Sequence, residues 1–242
     1  MIPVYVNVFN RLTTTQRLCE QISSLHNCRP VIIDNASTWG PLLDWYSNCP
    51  YEVVRLEHNM GHHAPWRSGI VLQANSEFYI VTDCDIDIDG VPKDVASVLQ
   101  VPFQWSKPEW PLHHQSDNYI IKSGLSLRID DVPERHAQVL RWERQYWNHP
   151  VEEDVRFFWA FIDTTFAMYH CSTWHKRAMK TRIPCVRLGG EYQARHIPWY
   201  SDCENLDAEN ANYYQTASVS NSWKPMNGQF FRKRPRRRPS LQ

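Results

Sequence analysis

The sequence lacks the features that mark membrane, secreted and zinc-ribbon proteins. No apolar run approaches the roughly 20 residues that a transmembrane helix needs, and the N-terminus has neither the basic nor the long apolar segment of a signal peptide. No CxxC pair occurs among the seven cysteines, which are odd in number. We therefore expect reduced thiols and a cytoplasmic protein, without a disulfide framework or a zinc ribbon.

Net charge is zero, but the basic residues are unevenly distributed. Residues 232–238 contain six basic residues and no acid, which leaves 20 basic and 26 acidic residues in positions 1–231. We predict one globular domain at 1–225 and a basic, disordered tail at 226–242. The tail is either a solvated terminus or an attachment to anionic lipid headgroups or nucleic acid, and lipid attachment would make the protein peripheral at a membrane.

Strand and helix signals alternate through the first hundred residues. Apolar runs predict strands, and helical periodicity separates them. The predicted strands are 2–9, 31–34, 51–57 and 77–82, and the helices are 13–26, 41–47 and 64–74. This alternation predicts parallel βαβ units and an α/β fold with a mostly parallel central sheet flanked by helices. The later predicted elements are less regular: strands at 122–129, 163–169 and 183–188, and helices at 133–147 and 207–216.

The fourth predicted strand leads into four alternating carboxylates: Asp83, Asp85, Asp87 and Asp89. Alternation would place them on one face of an extended chain, where like charges repel one another. Mg²⁺, Mn²⁺ or Ca²⁺ would convert such a cluster into a set of oxygen ligands. An EF-hand loop is excluded, because the twelfth position holds Ala96 instead of a bidentate Glu. A solvated acidic turn without a ligand is the remaining alternative.

Three polar groups follow separate predicted strands: Asn10-Arg11, Asp34-Asn35, and Asp83 with Asp85. Ligands of open α/β sheets bind outside the carboxyl ends of the strands. These side chains are therefore expected at one edge of the sheet. Eleven tryptophans, more than a core alone requires, also suit a protein that stacks on sugars or bases.

The chain resembles the GT-A glycosyltransferases, especially small family-2-like members found in bacteria, phages and large DNA viruses. The resemblance covers most of residues 2–223. It is carried by seven segments: PVYV at 3–6, VIIDNAS at 31–37, LEHNMGHHAPW at 56–66, IVTDCD at 80–85, GLSLRIDD at 124–131, IDTTFA at 162–167 and ARHIPWY at 194–200. It implies a transferase that moves a sugar from a nucleoside-diphosphate sugar, expected to be UDP-linked, to a glycan or another hydroxyl acceptor.

The resemblance also implies roles for individual residues. The expected metal ligands, for Mn²⁺ or Mg²⁺, are Asp83, Asp85 and His196. The expected nucleotide-binding residues are Asn10, Asp34, Asn59, Trp66, Arg67 and Asp83. A histidine bonded only within its own loop is the alternative for His196. A metal bridging the diphosphate oxygens would stabilise the leaving group as a Lewis acid.

The catalytic carboxylate is assigned to Asp163, since a charge between apolar residues is not placed there by packing. Its rivals are Asp131 and Asp202, and its alternative role is a structural bond to a nearby arginine. Two arginines, Arg128 and Arg195, either bind diphosphate or pair with acids such as Asp130 and Asp163.

Two other classes of function remain open from the sequence. A nucleotidyltransferase also binds a metal through Asp at strand ends, but residues 7–12 are not the glycine-rich, basic phosphate loop it would need. A non-catalytic carbohydrate- or nucleic-acid-binding module would use the tryptophans and the basic tail. His58, His62 and His63 could suggest a zinc site, but no cysteine or acid lies at ligand spacing from them, and the sequence therefore disfavours it.

Overall fold

The computed structural model describes residues 1–105, 119–163, 165–173, 178–180, 183–202 and 204–217, and the backbone of 223–226 and 229–232. The α-helices in these ranges are α1 Thr13–Ser24, α2 Gly40–Tyr46, α3 Ala64–Arg67, α4 Val95–Gln100, α5 Ala137–Glu143 and α6 Ala208–Thr216. The strands are β1 Ile2–Val8, β2 Cys28–Asp34, β3 Glu52–Arg55, β4 Phe78–Asp83, β5 Ile86–Asp87, β6 Lys122–Leu127, β7 Phe157–Trp159, β8 Ala167–His170, β9 Cys185–His196, β10 Trp223–Met226 and β11 Gln229–Arg232. Short 3₁₀ helices cover Gly61–His63, Ile70–Gln73, Val101–Gln104, Glu134–His136, Arg144–Trp147 and Ile197–Tyr200.

The predicted α/β class is confirmed by a nine-stranded central sheet. Its order is β3-β2-β1-β4-β8-β6-β9-β5, and β7 pairs with β9. The first four strands in this order are parallel, as expected from the alternating pattern. The second half is mixed, because β8 runs antiparallel to both β4 and β6 while β6 and β9 are parallel.

The core of the sheet is covered on both faces, which explains the continuous apolar runs of its central strands. Both β1 and β2 are buried along nearly their whole length. Helix α1 packs against β2 and buries Leu18, Cys19 and Ile22 on one stripe, the pattern expected at helical spacing. The carboxyl ends of β1 and β4 are therefore held at a fixed position in the sheet.

Several elements differ from the sequence prediction. The helix predicted at 64–74 ends at Arg67, because Gly69 adopts the left-handed conformation (φ +79°) and a 3₁₀ turn follows it. The strand predicted at 163–169 begins only at Ala167. The helix predicted at 133–147 is divided into two 3₁₀ turns around α5. The first break has a local cause at Gly69, whereas the hydrophobic pattern gave no sign of the other two differences.

The C-terminal helix α6 agrees with the prediction and is capped by Asp207, whose carboxylate accepts the amide of Asn210 at 2.7 Å. The antiparallel pair β10 and β11 spans the predicted domain boundary at residue 225. The basic residues beyond Arg232 lie outside the described part of the chain. Among the described residues, no helix has the length and apolar character to cross a membrane.

A close approach in the sheet gives a testable prediction for stability. A Cβ atom at Gly124 of β6 would lie 3.0 Å from both Ala167 Cβ and Ile162 Cδ1. We expect Gly124→Val to cost about 1–3 kcal/mol through overpacking, and to lower the melting temperature by roughly 2–12 °C for a domain of this size. Thermal unfolding by circular dichroism measures the change. The same side chain at an exposed strand position, Glu52→Val, is expected to shift melting by less than about 2 °C; equal shifts for both variants would refute the packing argument.

Candidate active site

A cavity lies at the carboxyl ends of β1 and β4, at the edge of the sheet where the sequence predicts a site. Its volume is about 570 Å³, which is within the range of ligand pockets. Five of the predicted site residues line it: Asn59, Asp83, Asp85, Asp163 and His196. They belong to four separate segments of the chain, which the fold brings to one place.

Asp85 and His196 face each other because β5 pairs with β9. Ile86 is opposite His196 in the antiparallel register, and the Ile197 amide donates to the carbonyl oxygen of Asp85 at 2.9 Å. The distance from Asp85 Oδ1 to His196 Nε2 is 3.6 Å. Burial lowers the pKa of His196, and the nearby Asp85 charge only partly opposes this shift. The imidazole is therefore favoured in its neutral, metal-binding form.

The four aspartates at the end of β4 and in the residues after it do not share one face. The chain turns between β4 and β5, so the alternation of an extended strand is interrupted. Asp83 and Asp85 line the cavity. Asp87 instead points to helix α1, where its carboxylate lies 2.9 Å from Arg17 Nη2, and the exposed Asp89 lies 3.7 Å from the same nitrogen. Two of the four carboxylates thus attach α1 to the sheet.

Arg11 is a fully buried cation beside these carboxylates. Its Nε lies 3.9 Å from Asp85 Oδ2, its Nη1 donates to Asn210 Oδ1 at 2.7 Å, and its guanidinium carbon is 3.8 Å from the centre of the Tyr213 ring. Burial is the largest single influence and lowers the pKa of Arg11, but Asp85 acting together with Tyr213, Cys84 and Tyr214 outweighs it, and the net shift is upward. Nε and Nη2 are buried without a hydrogen-bond partner among the described residues. A guanidinium with unused donors is suited to an anionic ligand.

Asp163 lines the same cavity and is exposed to it. Burial lowers the pKa of His196, His63 and Lys122, and the charge of Asp163 opposes that shift in each case. Asp163 is therefore within electrostatic reach of the pair formed by Asp85 and His196. A carboxylate in this position can accept a proton from a hydroxyl group bound in the cavity.

The two rival carboxylates are engaged elsewhere and do not line this cavity. Asp131 accepts hydrogen bonds from Arg195 Nη2 at 2.7 Å and from the Tyr200 hydroxyl at 2.6 Å. Burial raises the pKa of Asp131, but these two bonds together with the charges of Arg195 and Arg128 outweigh burial, and the net shift is downward. Asp202 accepts the amide of Glu204 at 2.9 Å and stabilises a turn.

The arginines considered for diphosphate binding also pair with acids. Arg195 binds Asp131, as described above. Arg128 lies 3.5 Å from Asp130 through its Nε and 3.7 Å from Asp131 through its Nη1. Neither arginine is among the side chains that line the cavity in the described part of the chain.

Two predicted nucleotide-binding residues, Asn10 and Asp34, are not among the residues that line the cavity. Asn10 is buried with φ +52°, and its Oδ1 accepts the amide of Thr38 at 2.7 Å. The Asp34 carboxylate accepts from Arg55 Nε at 3.0 Å and from the Ser37 amide at 3.2 Å. Both residues fix the loop between β2 and α2.

The other two predicted residues outside the cavity are Trp66 and Arg67. Trp66 belongs to the core, where its Nε1 donates to the Tyr79 hydroxyl at 3.2 Å and its ring meets Tyr169 edge to face. Arg67 is exposed and donates to the carbonyl oxygen of Met60 at 3.0 Å. Because α3 is only one turn long, helical spacing gave no information about which of its faces is buried.

A buried ion pair in the cavity wall was not predicted from the sequence. Glu143 of α5 and Arg187 of β9 are both buried and form a 2.5 Å contact. The Arg187 guanidinium also lies 4.3 Å from the centre of the Tyr146 ring. Burial raises the pKa of Glu143 and Arg187 opposes the shift. An arginine in the otherwise apolar strand segment 185–188 was the one sequence signal for this pair.

The side chains that line the cavity include oxygen and nitrogen donors suited to Mn²⁺ or Mg²⁺. Two ligands of an octahedral ion at about 2.1 Å are about 3 Å apart, so the 3.6 Å separation of Asp85 and His196 fits after a small adjustment. Among the described residues, no group of three or more His, Cys, Asp or Glu side chains could hold a metal by itself. Mg²⁺ is commonly bound by one or two carboxylates together with substrate phosphates, and the residues present fit that mode.

Comparisons with known proteins give structural matches only. No protein-family model and no curated protein sequence matches this chain. Structures of TarS from S. aureus match at 13% identity over 80% of this chain and 36% of that one (TM-score 0.44). The TarS 1–349 fragment matches at 14% identity over 90% of this chain and 73% of the fragment (TM-score 0.44). The complex of that fragment with UDP-GlcNAc matches at 14% identity over 84% of this chain and 62% of the fragment (TM-score 0.45). The chain spans about a third of the first TarS structure, and similarity at this level does not establish a shared activity.

Proposed function

We propose that this chain is a metal-dependent glycosyltransferase of the GT-A, family-2-like type. It transfers a sugar from a nucleoside-diphosphate sugar, most simply a UDP-sugar, to a hydroxyl group of a glycan. The observation that carries the proposal is the meeting of Asp83, Asp85, His196 and Arg11 at one end of a cavity that Asp163 also lines. Carboxylates, an imidazole and a buried guanidinium at one place suit a metal-bound diphosphate.

Asp85 and His196 are the proposed metal ligands, with Asp83 next to them at the end of β4. A bound Mn²⁺ or Mg²⁺ would supply Lewis acid stabilisation of the diphosphate leaving group. Arg11 supplies positive charge from the opposite side of the Asp85 carboxylate, and its unused donors are suited to phosphate oxygens. Asn59 lines the same cavity and can donate to the nucleotide through its amide.

Asp163 is the proposed general base that deprotonates the acceptor hydroxyl. Aromatic side chains also line the cavity, among them Trp142, Tyr146 and Trp199. Aromatic rings pack against the apolar faces of sugars, so they favour a glycan as the acceptor. The basic residues beyond Arg232 are proposed to contact anionic lipid or nucleic acid, since their charge matches either surface.

The proposal predicts metal-dependent binding of a nucleoside diphosphate. UDP with Mn²⁺ at about 100 times its dissociation constant should stabilise the folded state by about 2.7 kcal/mol, and should raise the melting temperature by roughly 5–10 °C. Differential scanning fluorimetry with UDP, GDP, CDP and TDP measures this shift. EDTA is expected to remove most of it.

The outcome that contradicts the proposal is a melting temperature unchanged by every nucleoside diphosphate in the presence of metal. Stabilisation by ATP or CTP together with pyrophosphate release would favour a nucleotidyltransferase instead. Release of UDP from UDP-glucose or UDP-GlcNAc, followed in the same samples, tests the transferase chemistry directly.

A further inference from the structure

The chain segment that leads to Asp163 is held by side chains instead of by a strand partner. The ladder between β7 and β9 ends at Trp159, and the Ala160 amide then donates to the carbonyl oxygen of Cys185 at 3.4 Å. The next three carbonyl oxygens each accept a hydrogen bond from one buried side chain: Cys185 Sγ to Ala160 (3.1 Å), Arg187 Nε to Phe161 (2.9 Å) and Lys122 Nζ to Ile162 (3.3 Å). Asp163 follows directly.

The three donors, which we call the carbonyl clamp (Lys122, Cys185 and Arg187), come from two paired strands. Lys122 of β6 is the register partner of Cys185 of β9 in a parallel ladder. Cys185 and Arg187 are two residues apart in the same strand, so their side chains point to the same face of the sheet. The sheet therefore presents three donors at successive positions to one passing segment of backbone.

Burying the two cations of this clamp costs desolvation free energy, and packing alone does not require charged side chains here. Lys122 and Arg187 are both almost completely buried. The charge of Arg187 is compensated by Glu143, whereas Lys122 bonds to a neutral carbonyl oxygen and its pKa is lowered by burial. Apolar residues of similar size would avoid the desolvation cost. The presence of Lys122 and Arg187 instead points to a role in fixing the backbone to which they donate hydrogen bonds.

The side chain of Ile162 is confined as well. A Cβ atom at Gly124 would lie only 3.0 Å from Ile162 Cδ1. Because glycine has no Cβ atom, the Ile162 side chain can pack directly against β6 at this position. Ile162 and Ala160 are completely buried, whereas Asp163 is exposed to the cavity. The change from buried to exposed occurs across one peptide bond, immediately after the last clamped carbonyl.

We propose that Lys122, Cys185 and Arg187 are positioning residues that fix the backbone of residues 160–162 and thereby set where the Asp163 carboxylate stands in the cavity. The inference rests on the proposed function, in which Asp163 is the general base. Lys122 and Cys185 are not among the side chains that line the cavity in the described ranges, so they act through the backbone. A misplacement of about 1 Å in a reacting group can cost about 100-fold in rate.

The variant Lys122→Met keeps the length of the side chain and removes the donor. Hydrogen exchange followed by mass spectrometry, without any ligand, should show at least about 10-fold faster exchange at residues 160–163, with β1 and β2 unchanged. In the enzyme assay, the turnover of UDP-glucose or UDP-GlcNAc should fall about 10- to 100-fold, while KM for the donor changes less than about 3-fold.

A second pair of variants is matched in size. Cys185→Ser keeps a donor for the Ala160 carbonyl and is expected to retain turnover, whereas Cys185→Ala is expected to lose it about 3- to 10-fold at unchanged donor KM. Ile22→Val, a core change in α1, lowers stability without affecting exchange at 160–163. This control separates positioning from general loss of stability.

Unchanged exchange at residues 160–163 in Lys122→Met would overturn the inference, as would equal turnover in the two Cys185 variants. Failure of the proposed function has a different signature. In that case UDP with Mn²⁺ does not stabilise the wild-type protein, while the exchange experiment still decides whether the clamp fixes this backbone.

Discussion

Replacing Asp85 with asparagine is expected to abolish the Mn²⁺-dependent stabilisation by UDP and to lower turnover on the order of 10²–10³-fold, the range seen when one stabilising group is removed from a developing charge. The reason is its central position in the site. Asp85 faces His196 at 3.6 Å on one side and Arg11 at 3.9 Å on the other. Asparagine keeps the shape of the side chain but removes the charge that would hold a cation.

The matched control is Asp89→Asn, which alters a carboxylate of the same run. Asp89 is 72% exposed on the side of α1, 3.7 Å from Arg17, so a change of no more than about 0.5 kcal/mol is expected for it. Scanning fluorimetry with UDP, with and without Mn²⁺, compares the two variants. The melting temperature without ligand is recorded too, because Arg11 stays buried when its carboxylate partner is neutralised. Equal Mn²⁺-dependent shifts in both variants would remove Asp85 from the metal site.

Replacing Asp163 with asparagine is expected to lower transfer about 10²–10⁴-fold, the usual contribution of a general acid or base, and to leave UDP binding unchanged. Asp163 is exposed to the cavity, and it acts on His196 only at a distance, through its charge. Loss of kcat without loss of nucleotide binding is the signature of an interaction made in the transition state. Isothermal titration with UDP and Mn²⁺, together with steady-state kinetics, measures the two quantities separately.

Asp131→Asn is the control for this experiment, because Asp131 was a rival from the sequence. Its carboxylate is bound by Arg195 and Tyr200 near the surface, and its loss should change kcat less than about 3-fold. If Asp131→Asn abolishes transfer and Asp163→Asn does not, the assignment of the base is reversed. The carbonyl clamp would then position a residue without a catalytic role.

The parts of the fold and the site that follow from the sequence are those set by short-range pattern. Alternating strand and helix signals predict the parallel strands β1 to β4, and an apolar strand that ends in carboxylates predicts where Asp83 and Asp85 lie. The resemblance to a family added His196, and a charge between apolar neighbours indicated Asp163. All four residues line the cavity.

The parts that the sequence does not predict are those made by distant pairs. Arg11 meets Asn210 across 199 residues, and Glu143 meets Arg187 across 44. An arginine in the apolar segment 185–188 marks one member of the second pair, but the pattern does not identify its partner, since the strand and helix periods describe only near neighbours. Trp66 is a different case: its place in a conspicuous motif predicted a ligand contact, and the structure shows its ring packed in the core.

Helix α6 contributes no buried residue and contacts the start of the chain through polar side chains. Its Asn210 holds Arg11, Glu209 accepts the amide of Thr13 at 3.1 Å, and Thr216 accepts from Asn10 at 3.0 Å. A ribosome adding about 5–20 residues per second would complete α6 about 10–40 s after Arg11 is made. Arg11 therefore remains without these partners until α6 has been synthesised, and the polar contacts that hold its guanidinium in place form only after that point.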